Sequence, residues 1–458
     1  MEANSCAGCQ ALLQRVADLE AQVERLTRLL DEQRRAGKRQ AAPFRKGPPK
    51  PQPKRPGRKP GGQHGTHGHR PPPEQIDEVL EATLPTACPH CGGTVTETAT
   101  TTQYQTEIPR QPLRRQFNIH VGCCDRCRRR LQGRHPLQTS DATGAAASQL
   151  GPDAQAAVVE LNKEMGLPHG KIAQTFDALF GIDLSRGASA QVVLRAGRRL
   201  EPAYQEVVGE TQDTDQLWLD ETGWRVGGRP AWLHVWVSER ATCYQIDSRR
   251  SAEVLEEVIG RDWEGTLIHD GFASYDRFTA AIHQQCLFHV LRRAREMLEG
   301  AIRGAVRFPR QVIGLFTAAI HLRNEQSAGR VDPTVWEGAR DAFEERLLAL
   351  LCRRRLPPAH ARLSAHLLNH FASWFSFLSD EAVPPTNAVG ERAVRPAVVN
   401  RKVWGGSRTA TGAAAQGVLT SVLQTCRQQA RSALDFVSHT LRAFGNRLLP
   451  RPILLSTR

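Results

Sequence analysis

Apolar residues recur along this chain with two different periods. In residues 11–32, Val16, Val23 and Leu30 fall at one heptad position and Leu12, Leu19 and Leu26 at the other. Valine at a and leucine at d predict a two-stranded parallel coiled coil. Three heptads are marginal alone, so one amphipathic helix packed on its own protein is the competing reading. Residues 150–208 again show helical spacing, broken at Gly-Leu-Pro and Gly-Ile-Asp. That arrangement fits a helix-turn-helix or plain helix packing. The period then falls to two. Residues 215–221, 231–238 and 242–248 predict three strands, turned at Gly227-Gly228 and at "SERA", which form an antiparallel meander. Residues 251–260 predict a helix with Ser251 as its N-cap. "GTLIHDGFASYD" then starts a fourth strand that stops at Asp270-Gly271. A strand-helix-strand step makes the fourth strand parallel to its partner. Residues 290–382 read as mostly helical. No apolar run reaches the length needed to span a bilayer.

Charge changes the picture at one place. The net charge is +14, and residues 34–73 hold twelve Lys/Arg with no Asp or Glu. Such a segment repels itself, stays extended and attracts polyanions, nucleic acid foremost through release of counterions. A solubilising linker is the plainer reading. Arg58 and Lys59 lie within it, in "GRKPGG".

Cysteine placement adds a metal. The chain has eleven cysteines, an odd count, and "MEANSCAGCQ" has no basic region followed by an apolar one. Both observations argue against a secreted disulfide framework and for a cytoplasmic protein. Cys88-Pro-His-Cys91 is followed after 32 residues by Cys124-Asp-Arg-Cys127. Four thiolates suit tetrahedral Zn²⁺, and "TTTQYQTEI" and "RRQFNIHVG" between them read as two strands, so the unit is predicted to be a zinc ribbon. Cys123 rivals Cys124, but only Cys124 keeps the two-residue gap. The predicted order is a coiled-coil helix over 1–33, a basic linker over 34–80, the ribbon over 81–137 and a helical, DNA-binding-like segment over 138–208. An α/β core with a mixed sheet follows over 209–412, with a helical insertion at about 290–382, and then a helical tail over 413–458.

The informative stretch is "LWLDETGWRVGGRPAWLHVWV", which carries Asp220 where a strand should bury a side chain. If the fourth strand lies beside the first, Asp220 stands next to Asp270. Two adjacent carboxylates repel unless a cation or proton separates them. Two Mg²⁺ ions about 4 Å apart are the common solution, and their chemistry is in-line attack on a phosphodiester. A meander followed by a parallel strand is the ribonuclease-H-like topology. Glu391 supplies a third acid, within "VPPTNAVGERAVRPAVVNRKVWGGSRTATG". Thr386 is expected to cap its helix and Pro396 to close it. Arg395 lies one turn from Glu391, with Arg392, Arg401 and Lys402 nearby as nucleic-acid contacts; surface ion pairing is the competing reading. The glycines and Ser407-Arg408 that follow suit a phosphate backbone. Glu221 alternates to the other side of the strand. Trp224 either stacks on an unpaired base or belongs to the core. Asp213 and Asp215 read as solvated, and Asp276 as a cap.

"DETGWRV", "HDGFASY", "CLFH" at 286–289 and "PPTN…ER…RP…RK" resemble the bacterial DDE transposases of the insertion sequence 66 family. The resemblance runs over nearly the whole chain, including "GRKPGGQHGTHGHRPPP", the four cysteines and "LTSVLQTCRQQ". One departure is Ala388, where the family commonly has a second Asn. The resemblance implies a ribonuclease-H-like catalytic domain that uses Mg²⁺ or Mn²⁺ and binds terminal inverted repeats. It assigns Asp220, Asp270 and Glu391 as the acids. It further implies DNA ends and target DNA as partners, a homodimer or larger synaptic assembly, companion transposition proteins, no membrane, and a cytoplasmic, nucleoid-associated location. Cys286 and His289 form an element of the family after the second acid. Two ligands make no metal site without partners, so a buried thiol and a packed histidine are an equal reading. The rival function is a zinc-dependent DNA-binding protein derived from a transposase and lacking catalysis.

Overall fold

The computed structural model describes residues 72–455 except 107, 109–110, 145–148, 301–304, 353–357 and 446–448, together with the helical positions Arg15, Val16, Leu19, Glu20, Gln22, Val23 and Leu26. Arg58 and Lys59 fall outside the described residues, as do Leu12 and Leu30. The chain divides into two units, Met1–Arg110 and Gln111–Arg458.

In the first unit, the described heptad residues Val16, Leu19, Val23 and Leu26 are helical and exposed. The Cys88 knuckle is a tight turn. Cys88 donates its N–H to Gly93 O over 2.9 Å, Gly92 donates back to Cys88 O over 2.8 Å, and Ala87 bridges Thr94. The strand expected at "TTTQYQTEI" does not form among the described residues. Tyr104 and Ile108 remain exposed there, so little apolar burial offsets the entropy of ordering a strand.

In the second unit, β1 (Val121–Cys123) and β2 (Arg130–Gln132) flank the Cys124 knuckle as a short antiparallel pair. The strand expected at "RRQFNIHVG" shrinks to its end. Three helices follow: α1 (Pro152–Lys163), α2 (His169–Phe180) and α3 (Arg186–Asp213). Their breaks fall at the Gly-Leu-Pro and Gly-Ile-Asp sites, and Gly181 closes α2 in the left-handed conformation at φ 60°.

The sheet has five strands: β3 (Gln216–Val226), β4 (Arg229–Val237), β5 (Thr242–Asp247), β6 (Thr266–His269) and β7 (Ile282–Gln285). Their order is β5-β4-β3-β6-β7, with β3, β4 and β5 antiparallel and β3, β6 and β7 parallel. Helix α4 (Ala252–Ile259) links β5 to β6 and buries Val254, Leu255, Val258 and Ile259. Full burial of each such side chain is worth about 1.5–3 kcal/mol before entropy is charged against it. Ser251 is the N-cap residue, but its hydroxyl accepts no bond from the helix. The sequence reading missed β7, whose inward residues Gln284 and Gln285 are polar. The Gln284 side chain is supported by hydrogen bonds instead: its Oε1 accepts from Phe377 N–H over 2.9 Å, and its Nε2 donates to Gln285 O over 2.7 Å.

One core lies between the sheet and α1–α4, joined by α11 (Ala410–Gln428) and α12 (Ala433–Gly445), and includes Leu217, Leu219, Trp236 and Leu267. On the opposite face, α10 (Ala388–Trp404) covers Trp224, Leu233, Val235 and Val237. Between β7 and α10 run α5 (Leu287–Glu299), α6 (Arg307–Ser327), α7 (Pro333–Glu337), α8 (Ala339–Leu351) and α9 (Pro358–Asn369). They enclose a second core around Phe316, Phe343, Trp374, Phe375 and Phe377, which meets the sheet at Ile268. No helix among the described residues is long and apolar enough to cross a membrane.

Candidate active site

Asp220 owes its position to the alternation of β3. Leu217 and Leu219 face the main core and are essentially unexposed, so the residue between Leu219 and Glu221 must face α10. β3 and β6 pair in parallel with Gln216 opposite Thr266, Leu217 opposite Leu267 and Trp218 opposite Ile268. Continued two residues further, that register sets Asp220 level with Asp270. All four residues of β6 are buried, as a central parallel strand requires. The strand ends just before Asp270, and Gly271 turns the chain at φ 88°, where a Cβ would collide with the Gln285 side chain. Asp270 Oδ1 then accepts the N–H of Phe272 over 3.1 Å. Asp220 Oδ1 accepts that of Glu221 over 2.8 Å.

Burial, and after it the charges of Glu221, Asp270 and Glu391, push the Asp220 carboxyl up to about 7. Burial also raises Asp270, with Glu221 adding to the effect and Phe272 N–H, His289 and Arg250 opposing it. Asp220 thus feels the negative charge of both Asp270 and Glu391, a field that a cation would relieve. The donor set is all oxygen, which fits a hard divalent cation.

Glu391 arrives from the first turn of α10. Asn387, not Thr386, is the N-cap residue. Asn387 is fully buried; its Nδ2 donates to Leu219 O over 2.7 Å and its backbone N–H to Cys286 Sγ over 3.2 Å. A Cβ at Gly390 would come within 2.6 Å of Asn387 Oδ1, so only glycine leaves that side chain room. Pro396 does not close the helix. It lies inside α10, which continues to Trp404 and stops at Gly405 in the left-handed conformation. The missing hydrogen bond costs stability, but α10 is held along its length by burial of Val394, Ala397 and Asn400.

Glu221 points away from Asp220, as alternation requires, and is nearly fully buried. Arg250 Nη2 lies 2.6 Å from Glu221 Oε1, and the Tyr275 hydroxyl donates to Oε2 over 2.5 Å. The Arg250 guanidinium sits over the Trp232 and Phe272 rings, 4.4 and 4.1 Å from their centroids. Sequence reading singled out neither Arg250, Tyr275 nor Asn387. "SRRS" and "FASYD" carry no periodic signal, and only the "PPTN" motif pointed at Asn387.

The remaining candidates are dispersed. Arg392, Arg395 and Lys402 are exposed on α10. Arg401 turns back onto the strand, donating to Thr222 Oγ1 over 3.1 Å and to Gly223 O. The loop after α10 lies on the end of β3: Ser407 N–H donates to Arg225 O, Gly227 N–H to Ser407 O, and Trp224 Nε1 to Ser407 Oγ over 3.1 Å. Trp224 is 2% exposed and belongs to the core, so it is not available to a base. Asp213 and Asp215 are exposed, and Asp276 lies 3.6 Å from His370. At the knuckles, Cys124 repeats the Cys88 turn, with Cys124 N–H on Arg129 O and Arg128 N–H on Cys124 O. The amides of His90 and Cys91 lower the Cys88 thiol, and Cys127 and Arg126 do the same for Cys124. Cys286 Sγ, a ring nitrogen of His289 and a carboxylate oxygen of Glu391 lie within 4.8 Å of one another, and His289 Nε2 is 3.7 Å from Glu391 Oε1.

Among known proteins, the family described as "Transposase IS66 family" matches residues 147–415, a span that contains Asp220, Asp270, Glu391 and the helices between them. Comparison with curated proteins gives no match.

Proposed function

The chain belongs to the IS66 transposase family, and from that membership we propose that it cuts phosphodiesters at transposon ends and joins the freed 3′-hydroxyls to target DNA, with Asp220, Asp270 and Glu391 holding two Mg²⁺ or Mn²⁺ ions. Membership carries a transposase role, a DNA substrate and the use of divalent metal in general. One observation supports the finer reading best. Asp220 and Asp270 stand level on adjacent parallel strands, and Glu391 is close enough to raise the Asp220 carboxyl. The strand order, with an antiparallel meander at one side and parallel strands at the other, supports a ribonuclease-H-like core.

Bound at the three acids, the metal pair would activate the attacking oxygen and stabilise the leaving one. The chain's own residues provide the geometry. The β3/β6 register holds two carboxylates side by side. Asn387 fixes the start of α10, the helix that carries Glu391. Glu221 is kept out of the cleft by Arg250 and Tyr275, which leaves the acids facing it as ligands. Arg392, Arg395, Arg401, Lys402 and the basic segment with Arg58 and Lys59 would contact phosphates. Cys88, Cys91, Cys124 and Cys127 would bind Zn²⁺ through their knuckles, and the coiled coil would pair two copies for synapsis.

The test is strand cleavage of an end-containing duplex with Mg²⁺. Asp220→Asn, Asp270→Asn and Glu391→Gln should each lose cleavage at least about a thousandfold while retaining DNA binding. Undiminished cleavage by any one variant removes that residue from its role. For zinc, Cys88→Ser and Cys124→Ser should each lower the bound metal; unchanged stoichiometry overturns that assignment.

A further inference from the structure

We propose that Cys286, His289 and Glu391 form a binding site for a thiophilic divalent ion of the Zn²⁺ or Co²⁺ class, and that this ion competes with the magnesium pair for Glu391. The competition rests on Glu391 being the third acid; the binding does not.

The ligand atoms come from two places that the fold laces together, the start of α5 and the start of α10. Cys286 follows β7 as the N-cap residue of α5 and donates its N–H to His269 O over 2.8 Å. Leu287, the first residue of α5, donates to Pro385 O over 3.0 Å, and Asn387 N–H meets Cys286 Sγ at 3.2 Å. The starts of α5 and α10 are therefore tied to each other, one presenting His289 and the other Glu391. The thiol, imidazole and carboxylate ligand atoms lie within 4.8 Å of one another, and the imidazole–carboxylate pair is 3.7 Å apart. Ligands of a tetrahedral zinc ion are about 3.5 Å apart, given bonds of about 2.0–2.3 Å. The pair is close to that spacing, and the sulfur lies within 4.8 Å of both.

The chemistry of the set selects the ion. Thiolate and imidazole are poor ligands for Mg²⁺ and good ones for zinc. Three protein ligands leave a fourth position open, unlike a closed structural site. The Cys286 sulfur is buried and meets the backbone N–H of Asn387 at 3.2 Å; burial holds the thiol above its ordinary value, opposed by the amides of Asn387, Phe288 and His289. His289 Nδ1 is buried without a hydrogen-bond partner, so no competing bond fixes the ring. An ion seated here would draw the Glu391 carboxylate toward α5 and away from Asp220. Zinc would then hold the enzyme off, and its removal would release it.

The full-length chain, stripped of metal and reloaded, tests both parts. His289→Ala and Cys286→Ser should each bind one equivalent less Zn²⁺ per chain than the parent, and Co²⁺ loading should lose part of its thiolate charge-transfer absorption. Asp220→Asn should keep that equivalent. His289 is partly exposed, so its variant decides the matter if Cys286→Ser fails to fold. Unchanged stoichiometry and absorption in His289→Ala overturns the site. Added Zn²⁺ should inhibit Mg²⁺-dependent cleavage at least tenfold more in the parent than in His289→Ala; equal inhibition overturns the competition. Cleavage that survives in Glu391→Gln while the zinc equivalent is lost would sink the catalytic reading and leave the site standing.

Discussion

Asn387 Nδ2 donates across 2.7 Å to the carbonyl oxygen of Leu219, the residue immediately before Asp220. A single buried amide thus joins the strand that carries one acid to the helix that carries another. The same residue gives its backbone N–H to Cys286 at the start of α5. Three segments distant in sequence meet at one residue.

Asn387→Ala removes that joint. It leaves the Leu219 carbonyl without its donor, at a cost of about 1–3 kcal/mol. Glu391 then loses its registration with Asp220, so the Mg²⁺ concentration for half-maximal cleavage should rise about tenfold or more, beyond what the loss of stability explains. Urea denaturation combined with a Mg²⁺ titration of cleavage separates the two effects. A variant that is destabilised but titrates like the parent would show that Asn387 only holds the fold.

Asp220 predicts a pH dependence of stability. Its carboxyl rises from 3.8 to about 7 on folding. Between those values the folded chain holds a proton that the unfolded chain has lost. The proton-linked stability is therefore complete below the unfolded value and is lost as pH climbs through about 7. Asp270 shifts in the same direction. Asp220→Asn should accordingly be more stable than the parent at pH 8 by about 1–3 kcal/mol, with the gap closing toward pH 4. Thermal unfolding in chelator measures it. Mg²⁺ added at pH 8 should raise the parent's Tm more than the variant's. Identical melting of both proteins at pH 8 without metal would contradict the burial argument.

The Arg250–Glu221 pair predicts non-additivity. Glu221's side chain is 2% exposed and Arg250's is 38%. Arg250→Ala strands a buried carboxylate on Tyr275 alone, and should cost about 3 kcal/mol. Glu221→Gln should cost less, because the amide needs less solvation. The double variant should be no less stable than Arg250→Ala, as measured in a denaturation cycle. A simple sum of the two losses would show that the pair does not act as a unit.

Much of the sheet was legible before the structure although both of its faces are covered. The apolar run opening "LWLDETGW", the Gly-Gly turn and the amphipathic "AEVLEEVI" mark strand, turn and helix locally. They set Asp220 beside Asp270 on the condition that the fourth strand lies next to the first, and the structure meets that condition. Where burial is polar, that record disappears. β7 reads "IHQQ", and its buried Gln284 is satisfied by the chain around Trp374 and Phe377, about ninety residues later. Pro396 misled for a related reason: local propensity ends a helix there, whereas packing against β3 and β4 carries α10 through it.

Local sequence was therefore sufficient for the residue types, the strand and helix order around the first two acids, and the carboxylates that could share a cation. Tertiary structure alone decided that Asn387 joins α10 to β3, that Arg250 and Tyr275 hold Glu221, and that Cys286 and His289 lie beside Glu391. Hydrophobic periodicity is written by the neighbours of each residue along the chain. Hydrogen bonds and ion pairs between segments a hundred residues apart depend on how the layers close, and they leave no repeat in the sequence to be read.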